Sequence, residues 1–161
     1  MVIRNALEKD AKSIVNINIT GWNETYKGIF PSEFLEKLEQ KRDESIVKCI
    51  NKINEYIVCE VNGEVVGFLR FGKNKKNYSA KYAEIYALYI DSRYKRRGIG
   101  KKLLEYTFSN IKDAYDNVLI STLESNSATK FYEKCGGCKI GTCSFKVDNN
   151  EYTEIIYLFN L

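Results

Sequence analysis

Apolar positions in the first third of the chain recur at helical spacing. Ala11, Ile14, Val15, Asn18 and Trp22 fall on one face of a helix over 8–22, after a short strand at 2–6. Pro31-Ser32 opens a second helix carrying Phe34, Leu35 and Leu38, and Ile46, Cys49, Ile50 and Ile53 continue with helical period. From Tyr56 the character changes. Tyr56–Val61 and Glu64–Phe71 are strand-like runs joined by Asn62-Gly63, and Asn-Gly predicts a type I′ hairpin because both central residues need positive φ. Ala83–Ile90 reads as a largely buried strand. Leu103, Leu104, Thr107, Phe108 and Ile111 form the stripe of the next helix, followed by a strand at Val118–Leu123 and a short helix from Asn126 to Lys134 that ends at Gly136-Gly137. Strands at 138–147 and 151–160 meet through Asp148-Asn149-Asn150. One strand–turn–helix–strand unit implies a single right-handed parallel crossover. The expected fold is therefore α/β, with a mixed, mostly antiparallel central sheet, helices on both faces, and one domain over 1–161.

The link between the buried strand and its helix carries the first chemical signal. Lys95-Arg96-Arg97-Gly98-Ile99-Gly100 is a basic glycine turn that leads straight into the helix, with Lys101 and Lys102 behind it. N–H groups at a helix start lack intrahelical partners, and the helix dipole favours an anion there. Cations at that end oppose the dipole, so their clustering makes sense if a polyanion sits among them. A dinucleotide fingerprint fails because Leu103 stands where its third glycine belongs. A Walker A loop fails at Lys95 and at Lys102.

Composition narrows the chemistry. The chain has 161 residues and no histidine, which excludes imidazole bases, Ser-His-Asp and Cys-His devices, and His-ligated zinc. The formal charge is only +4, and the basic residues gather in one turn rather than over a face, so nucleic acid is not an expected partner. No apolar run reaches the roughly 18 residues of a membrane span, and Met1-Val2-Ile3-Arg4 does not open a signal peptide. A cytoplasmic protein with free thiols at Cys49, Cys59, Cys135, Cys138 and Cys143 is expected. Cys135-x-x-Cys138 lacks the companions of a metal site, so none is expected. The run Lys73-Asn74-Lys75-Lys76-Asn77 reads as a solvated turn.

Two segments carry a family resemblance. Tyr86–Gly100 resembles the fourth strand and the Q/R-x-x-G-x-G/A pyrophosphate loop of the GNAT superfamily of N-acetyltransferases, and Asn126–Lys134 resembles its asparagine–alanine–Phe-Tyr segment. The resemblance implies acetyl-CoA as donor. It implies a pyrophosphate held around Lys95, Arg96, Arg97, Gly98, Ile99, Gly100 and Lys101, a pantetheine arm along Leu88, Tyr89 and Ile90, and a cofactor contact from Asn126. It further implies that Tyr132 protonates the departing CoA thiolate and that the backbone amide of Leu88 faces the oxyanion. Two positions depart from the pattern: Lys95 replaces the usual glutamine or arginine, and Gly137 stands where an aromatic usually follows. Trp22-x-x-x-Tyr26-x-x-x-Phe30-Pro31 resembles the acceptor-pocket wall of some bacterial members; otherwise Trp22 caps the core and Tyr26 is a surface aromatic.

Acetyl transfer to an amine then needs a base, an oxyanion donor and an acid. Glu84 is the first candidate base, acting directly or replaced by a water relay, with a plain strand carboxylate on an exposed edge as the alternative reading, and Glu24 is the second candidate. Ordinary tyrosine and thiol acidities differ by about 1.5 units, roughly 2 kcal/mol, which an organised site can offset. The expected activity is direct acetyl transfer to a primary amine of a small metabolite, a polyamine or a peptide, with no metal and with homodimer formation left open. The competing reading is an acyl-CoA-binding regulatory module without turnover.

Overall fold

The computed structural model describes Met1–Leu161. Its strands are β1 (Val2–Asn5), β2 (Tyr56–Val61), β3 (Glu64–Lys73), β4 (Tyr82–Ile90), β5 (Asn117–Leu123), β6 (Cys138–Val147) and β7 (Asn150–Asn160). Its helices are α1 (Ala11–Tyr26), α2 (Ser32–Gln40), α3 (Arg42–Asn51), α4 (Ile99–Ile111) and α5 (Ala128–Lys134). The strands form one mixed sheet in the order β1-β2-β3-β4-β5-β7-β6, with β4 and β5 the parallel pair. The α/β class and the single crossover expected from the sequence are both present. Two compact units make up the chain: Met1–Arg70 with Ala87–Tyr106, and Phe71–Tyr86 with Thr107–Leu161.

In the first unit, Asn62 and Gly63 turn the β2–β3 hairpin with φ values of 51° and 82°, as a type I′ turn requires. The helical run after Pro31 divides at Lys41, whose φ of −95° and ψ of 15° end α2 and start α3. Ile14 and Val15 of α1 and Cys49 of α3 pack with Val58 and Phe68 of the hairpin. Truncating Phe68, only 1% exposed, to alanine would cost about 3–5 kcal/mol. Arg4 ties the N-terminal strand down: its guanidinium grips Asp10 at 2.7 Å and Glu60 at 2.7 Å, and the Leu7 N–H donates to Asp10 Oδ2 at 2.8 Å. Gly21 lets α1 settle over β4, since a Cβ there would lie 2.3 Å from the Tyr89 ring.

In the second unit, β7 is the central strand, paired with β5 from Asn117↔Asn160 to Leu123↔Glu154 and with β6 on its other side. Residues opposite one another share a sheet face. One face carries Tyr157, whose hydroxyl donates to Glu133 of α5 at 3.0 Å, and Phe159, whose ring lies 5.4 Å from Phe108 of α4. On the other face Glu84 lies opposite Leu119, Ser121 opposite Ile156, and Glu154 opposite both Leu123 and Cys143. The β6 register slips between Lys139 and Gly141, placing a bulge at Ile140 on the outermost strand. Phe159 also accounts for Gly137: a Cβ there would come within 2.7 Å of the Phe159 ring, so an aromatic from β7 fills the space an aromatic at 137 would have taken.

Candidate active site

The basic turn is built outward from the end of β4. Asp91 caps a single helical turn over Ser92–Tyr94 by accepting from the Arg93 N–H at 3.0 Å. The Arg93 guanidinium closes back on Asp91 at 2.7 Å and reaches Glu64 at 2.9 Å. Bonding from Arg93 holds the Asp91 carboxyl below the usual carboxylate range. The chain then reverses through positive φ at Arg96 (62°) and Gly98 (76°), and α4 starts at Ile99, which is buried. Open space surrounds a notional Cβ at Gly98, so its positive φ is what requires glycine there.

The cations of the turn have different tasks. Arg97 donates to the Arg93 carbonyl at 3.0 Å and lies 5.1 Å from the centre of the Tyr94 ring, which aims its guanidinium along the turn. Arg96 is exposed beside it. Lys95 is paired with Glu24 of α1 at 2.7 Å, and this bond lowers the Glu24 carboxyl from its ordinary range. The structure thus joins a residue expected at the pyrophosphate to one expected at the acceptor wall. Glu24 also lines a cavity of about 250 Å³ with Asn16, Thr20, Ile90, Asp91 and Ser92.

Trp22 and Tyr26 are half-buried members of an aromatic cluster, with ring centres 4.7 Å apart and Phe30 4.8 Å from Tyr26. Phe34 of α2 completes it, 5.6 Å from Phe30. Phe30 belongs to the pattern expected to form the acceptor wall, whereas Phe34 is not among the residues expected from the sequence. The signal that points to Phe34 is an aromatic at every fourth position from Trp22 onward, although Phe30 lies in the turn between α1 and α2.

In the second unit, the parallel β4–β5 pairing runs from Tyr82↔Asn117 to Ile85↔Ile120 and stops there, although β4 continues to Ile90 and β5 to Leu123. Leu88, Tyr89 and Ile90, the residues expected to carry the pantetheine, lie on the part of β4 that belongs to the first unit and are half-buried. Asn126 lies in the turn that precedes α5: its Oδ1 accepts from the Ala128 N–H at 2.9 Å, which leaves its side-chain amide hydrogens as the donors it could offer a ligand. Tyr132 is 7% exposed, with its ring centre 5.2 Å from Phe131 and 6.0 Å from Tyr157.

Glu84 is not on an exposed edge. It is 5% exposed, and both carboxylate oxygens are engaged, Oε2 by the Lys75 N–H at 2.8 Å and Oε1 by Lys76 Nζ at 2.7 Å. Lys76, read from the sequence as part of a solvated turn, is instead half-buried. Burial works against its charge, but the bond to Glu84 outweighs burial and leaves its ammonium harder to deprotonate than an ordinary lysine. Cys143 Sγ lies 3.6 Å from Glu154 on the same face, and burial pushes this thiol up. Ser121 Oγ is buried with no hydrogen-bond partner.

Compared with known proteins, residues 19–137 match the acetyltransferase (GNAT) family. The chain belongs to this family. It is an N-acetyltransferase, with acetyl-CoA as its donor. It is similar to an uncharacterized N-acetyltransferase, YuaI, of Bacillus subtilis, 23% identical over 96% of this chain and 90% of that one. It is also 30% identical to an N-alpha-acetyltransferase of Sulfurisphaera tokodaii, over 83% of this chain and 78% of that protein. Among solved structures, PaiA N-acetyltransferase of Thermoplasma acidophilum, crystallised with coenzyme A, superposes with a TM-score of 0.76 at 22% identity, covering 99% and 98% of the two chains. The fold of this N-acetyltransferase is therefore that of known relatives. Its basic turn suits a CoA pyrophosphate: a left-handed Arg96, a glycine at φ 76° and a helix start present N–H groups beside exposed Arg96 and Arg97. No helix is long and apolar enough to cross a membrane.

Proposed function

We propose that this chain transfers an acetyl group from acetyl-CoA directly to a primary amine, with Glu84 as base and Tyr132 as acid. The observation that carries the reading is the state of Glu84: a buried carboxylate that already holds a primary ammonium, Lys76 Nζ, at 2.7 Å. A carboxylate that pairs with one alkylammonium has the charge to receive another in its place, and the proton passes to it as the nitrogen commits to the thioester.

In this reading the thioester supplies the activated acetyl group. Arg96, Arg97 and the N–H groups from Arg96 to Lys101 hold the pyrophosphate, with Lys95 steadying the turn through Glu24. The backbone of Leu88–Ile90 lies along the pantetheine, the Leu88 N–H faces the oxyanion, and Asn126 donates its side-chain amide. Tyr132 delivers a proton to the leaving sulfur. Trp22 and Tyr26, with Phe30 and Phe34, form one wall for the acceptor. Among acceptors, the Sulfurisphaera tokodaii relative supports an α-amine at a peptide N-terminus.

Calorimetric titration with acetyl-CoA tests the donor half. Saturable binding is expected. Reversing the charges at Arg96 and Arg97 should weaken it about tenfold or more, since a charge-assisted bond from guanidinium to phosphate is worth roughly 1.5–3 kcal/mol. A panel of polyamines, amino compounds and N-terminal peptides, read by thiol release, tests transfer. Binding without turnover of any amine would replace this reading with that of a CoA-binding regulatory module.

A further inference from the structure

The loop between β3 and β4 delivers a lysine onto the base. Asn74 braces it from three sides: its Nδ2 donates to the carbonyls of Ser79 at 2.9 Å and Tyr82 at 3.0 Å, and its Oδ1 accepts from the Tyr78 N–H at 3.2 Å. Lys75 Nζ lies 4.2 Å from the centre of the Tyr86 ring, and the Tyr86 hydroxyl donates to the Lys73 carbonyl. Within this braced loop, Lys76 turns its amine onto the sheet face. Its Nζ meets Glu84 Oε1 at 2.7 Å, its side chain is 24% exposed, and the carboxylates of Glu84 and Glu154 and the thiol of Cys143 are the charged or titratable groups facing it. On that same sheet face, two residues along β5 from Leu119, the neighbour of Glu84, lies the unpartnered hydroxyl of Ser121.

A primary amine and a carboxylate in contact with it are the acceptor and the base that acetyl transfer needs, and here the amine belongs to the chain itself. We propose that Lys76 is a self-acetylation site, modified in cis, and that the product amide releases Glu84. This rests on Glu84 being the base of the transferase.

The step balances without a further reactant. Glu84 takes one proton from the Lys76 ammonium, and the free electron pair of Nζ forms the new N–C bond to the acetyl carbon. The C–S bond breaks, the second nitrogen proton is shed to solvent, and the thiolate is protonated through Tyr132. Acetyl-lysine and CoA thiol are the products, with one proton released overall. The product nitrogen carries no charge, so the ion pair with Glu84 ends and the carboxylate becomes available to an external ammonium.

The same geometry provides its own control. Spontaneous acetylation by a thioester needs a neutral, accessible amine, and Lys76 is half-buried and held as an ammonium, whereas Lys73, Lys75 and Lys81 are exposed. Uncatalysed chemistry therefore favours those three, and preference for Lys76 reports catalysis.

The test is peptide mass mapping of the full chain after incubation with acetyl-CoA and no other amine. Acetylation is expected at Lys76 ahead of Lys73, Lys75 and Lys81, with a first-order rate unchanged on dilution of the protein. Glu84→Gln should slow it about a hundredfold or more, as loss of a general base does. Lys76→Arg, which keeps a cation on Glu84, should fold and stay unmodified at position 76. A readout without acetyl-CoA accompanies it: labelling of Lys76 by a small amine-reactive anhydride should be suppressed in the native protein and rise in Glu84→Gln. Exposed lysines modified in preference to Lys76, or a rate proportional to protein concentration, would overturn the inference. If external amines are acetylated while Lys76 stays bare, self-acetylation fails and the transferase reading stands. If neither is acetylated although acetyl-CoA binds, both fail.

Discussion

Tyr132 is visible in the sequence because it sits in a short motif on a helix whose start and stop are both marked. The turn at Asn126, whose Oδ1 accepts from the Ala128 N–H, and the Gly136-Gly137 end bound that helix, and the structure keeps Tyr132 buried between Phe131 and Tyr157. Tyr132→Phe preserves those ring contacts and removes only the hydroxyl. Turnover should fall about a hundredfold or more while the KM for acetyl-CoA changes little, as expected when a general acid is lost. Steady-state kinetics decide it, and unchanged turnover would remove Tyr132 from the acid role. Lys76 has no such signal. Its partner lies eight residues away across a loop, where neither the helix nor the strand period applies, so only the folded loop brings the two together. Ser121 is hidden for a similar reason: within a strand of β-branched and apolar residues, a serine looks like any polar alternate.

At the scale of elements, local chemistry is the more reliable guide. Asn62-Gly63 predicts its hairpin because two positive φ values have few solutions, and the basic turn predicts a helix start because glycine spacing leaves little else. The run after Pro31 is less legible. Its apolar spacing is helical on both sides of Lys41, and the turn that separates α2 from α3 contains neither glycine nor proline. Gly137 shows the same limit, because the aromatic that fills its place comes from β7, far along the chain. Gly137→Phe, which would restore the family's usual pattern, should therefore destabilise this chain. Forcing a second ring against Phe159 overpacks the contact between the α5 end and β7, at a cost of about 1–3 kcal/mol. A lower urea midpoint with unchanged slope is the expected result; a raised midpoint would mean that β7 can yield the space.

For the whole molecule, the missing histidines shape the response to pH. Burial works against the Asp10 charge, but bonds from Arg4 and the Leu7 N–H hold its carboxyl below the ordinary range; bonding from Lys95 does so for Glu24, and from Arg93 for Asp91. A carboxyl lowered by folding contributes stability that is present above its unfolded pKa, near about 4, and is lost as pH falls through the folded value. At the alkaline end, burial pushes the Tyr56 hydroxyl up to about 12 and also raises the thiols of Cys49, Cys59 and Cys143. Their contributions are complete below the unfolded pKa values, the thiols at about 8.5 being the lowest, and are lost as pH rises through the folded ones. With no imidazole to titrate between, the urea midpoint should stay level from about pH 5 to 8 and fall on either side. A slope near about pH 6.5 would contradict this. The bulge at Ile140 matters at this scale as well. Ten residues of β6 form the free margin of the sheet, the kind of flat ribbon onto which foreign strands crystallise into fibrils. A kink near the start of that strand, flanked by Lys139 and followed by Lys146, spoils the template, so the terminal hairpin carries its own protection against amyloid-like growth.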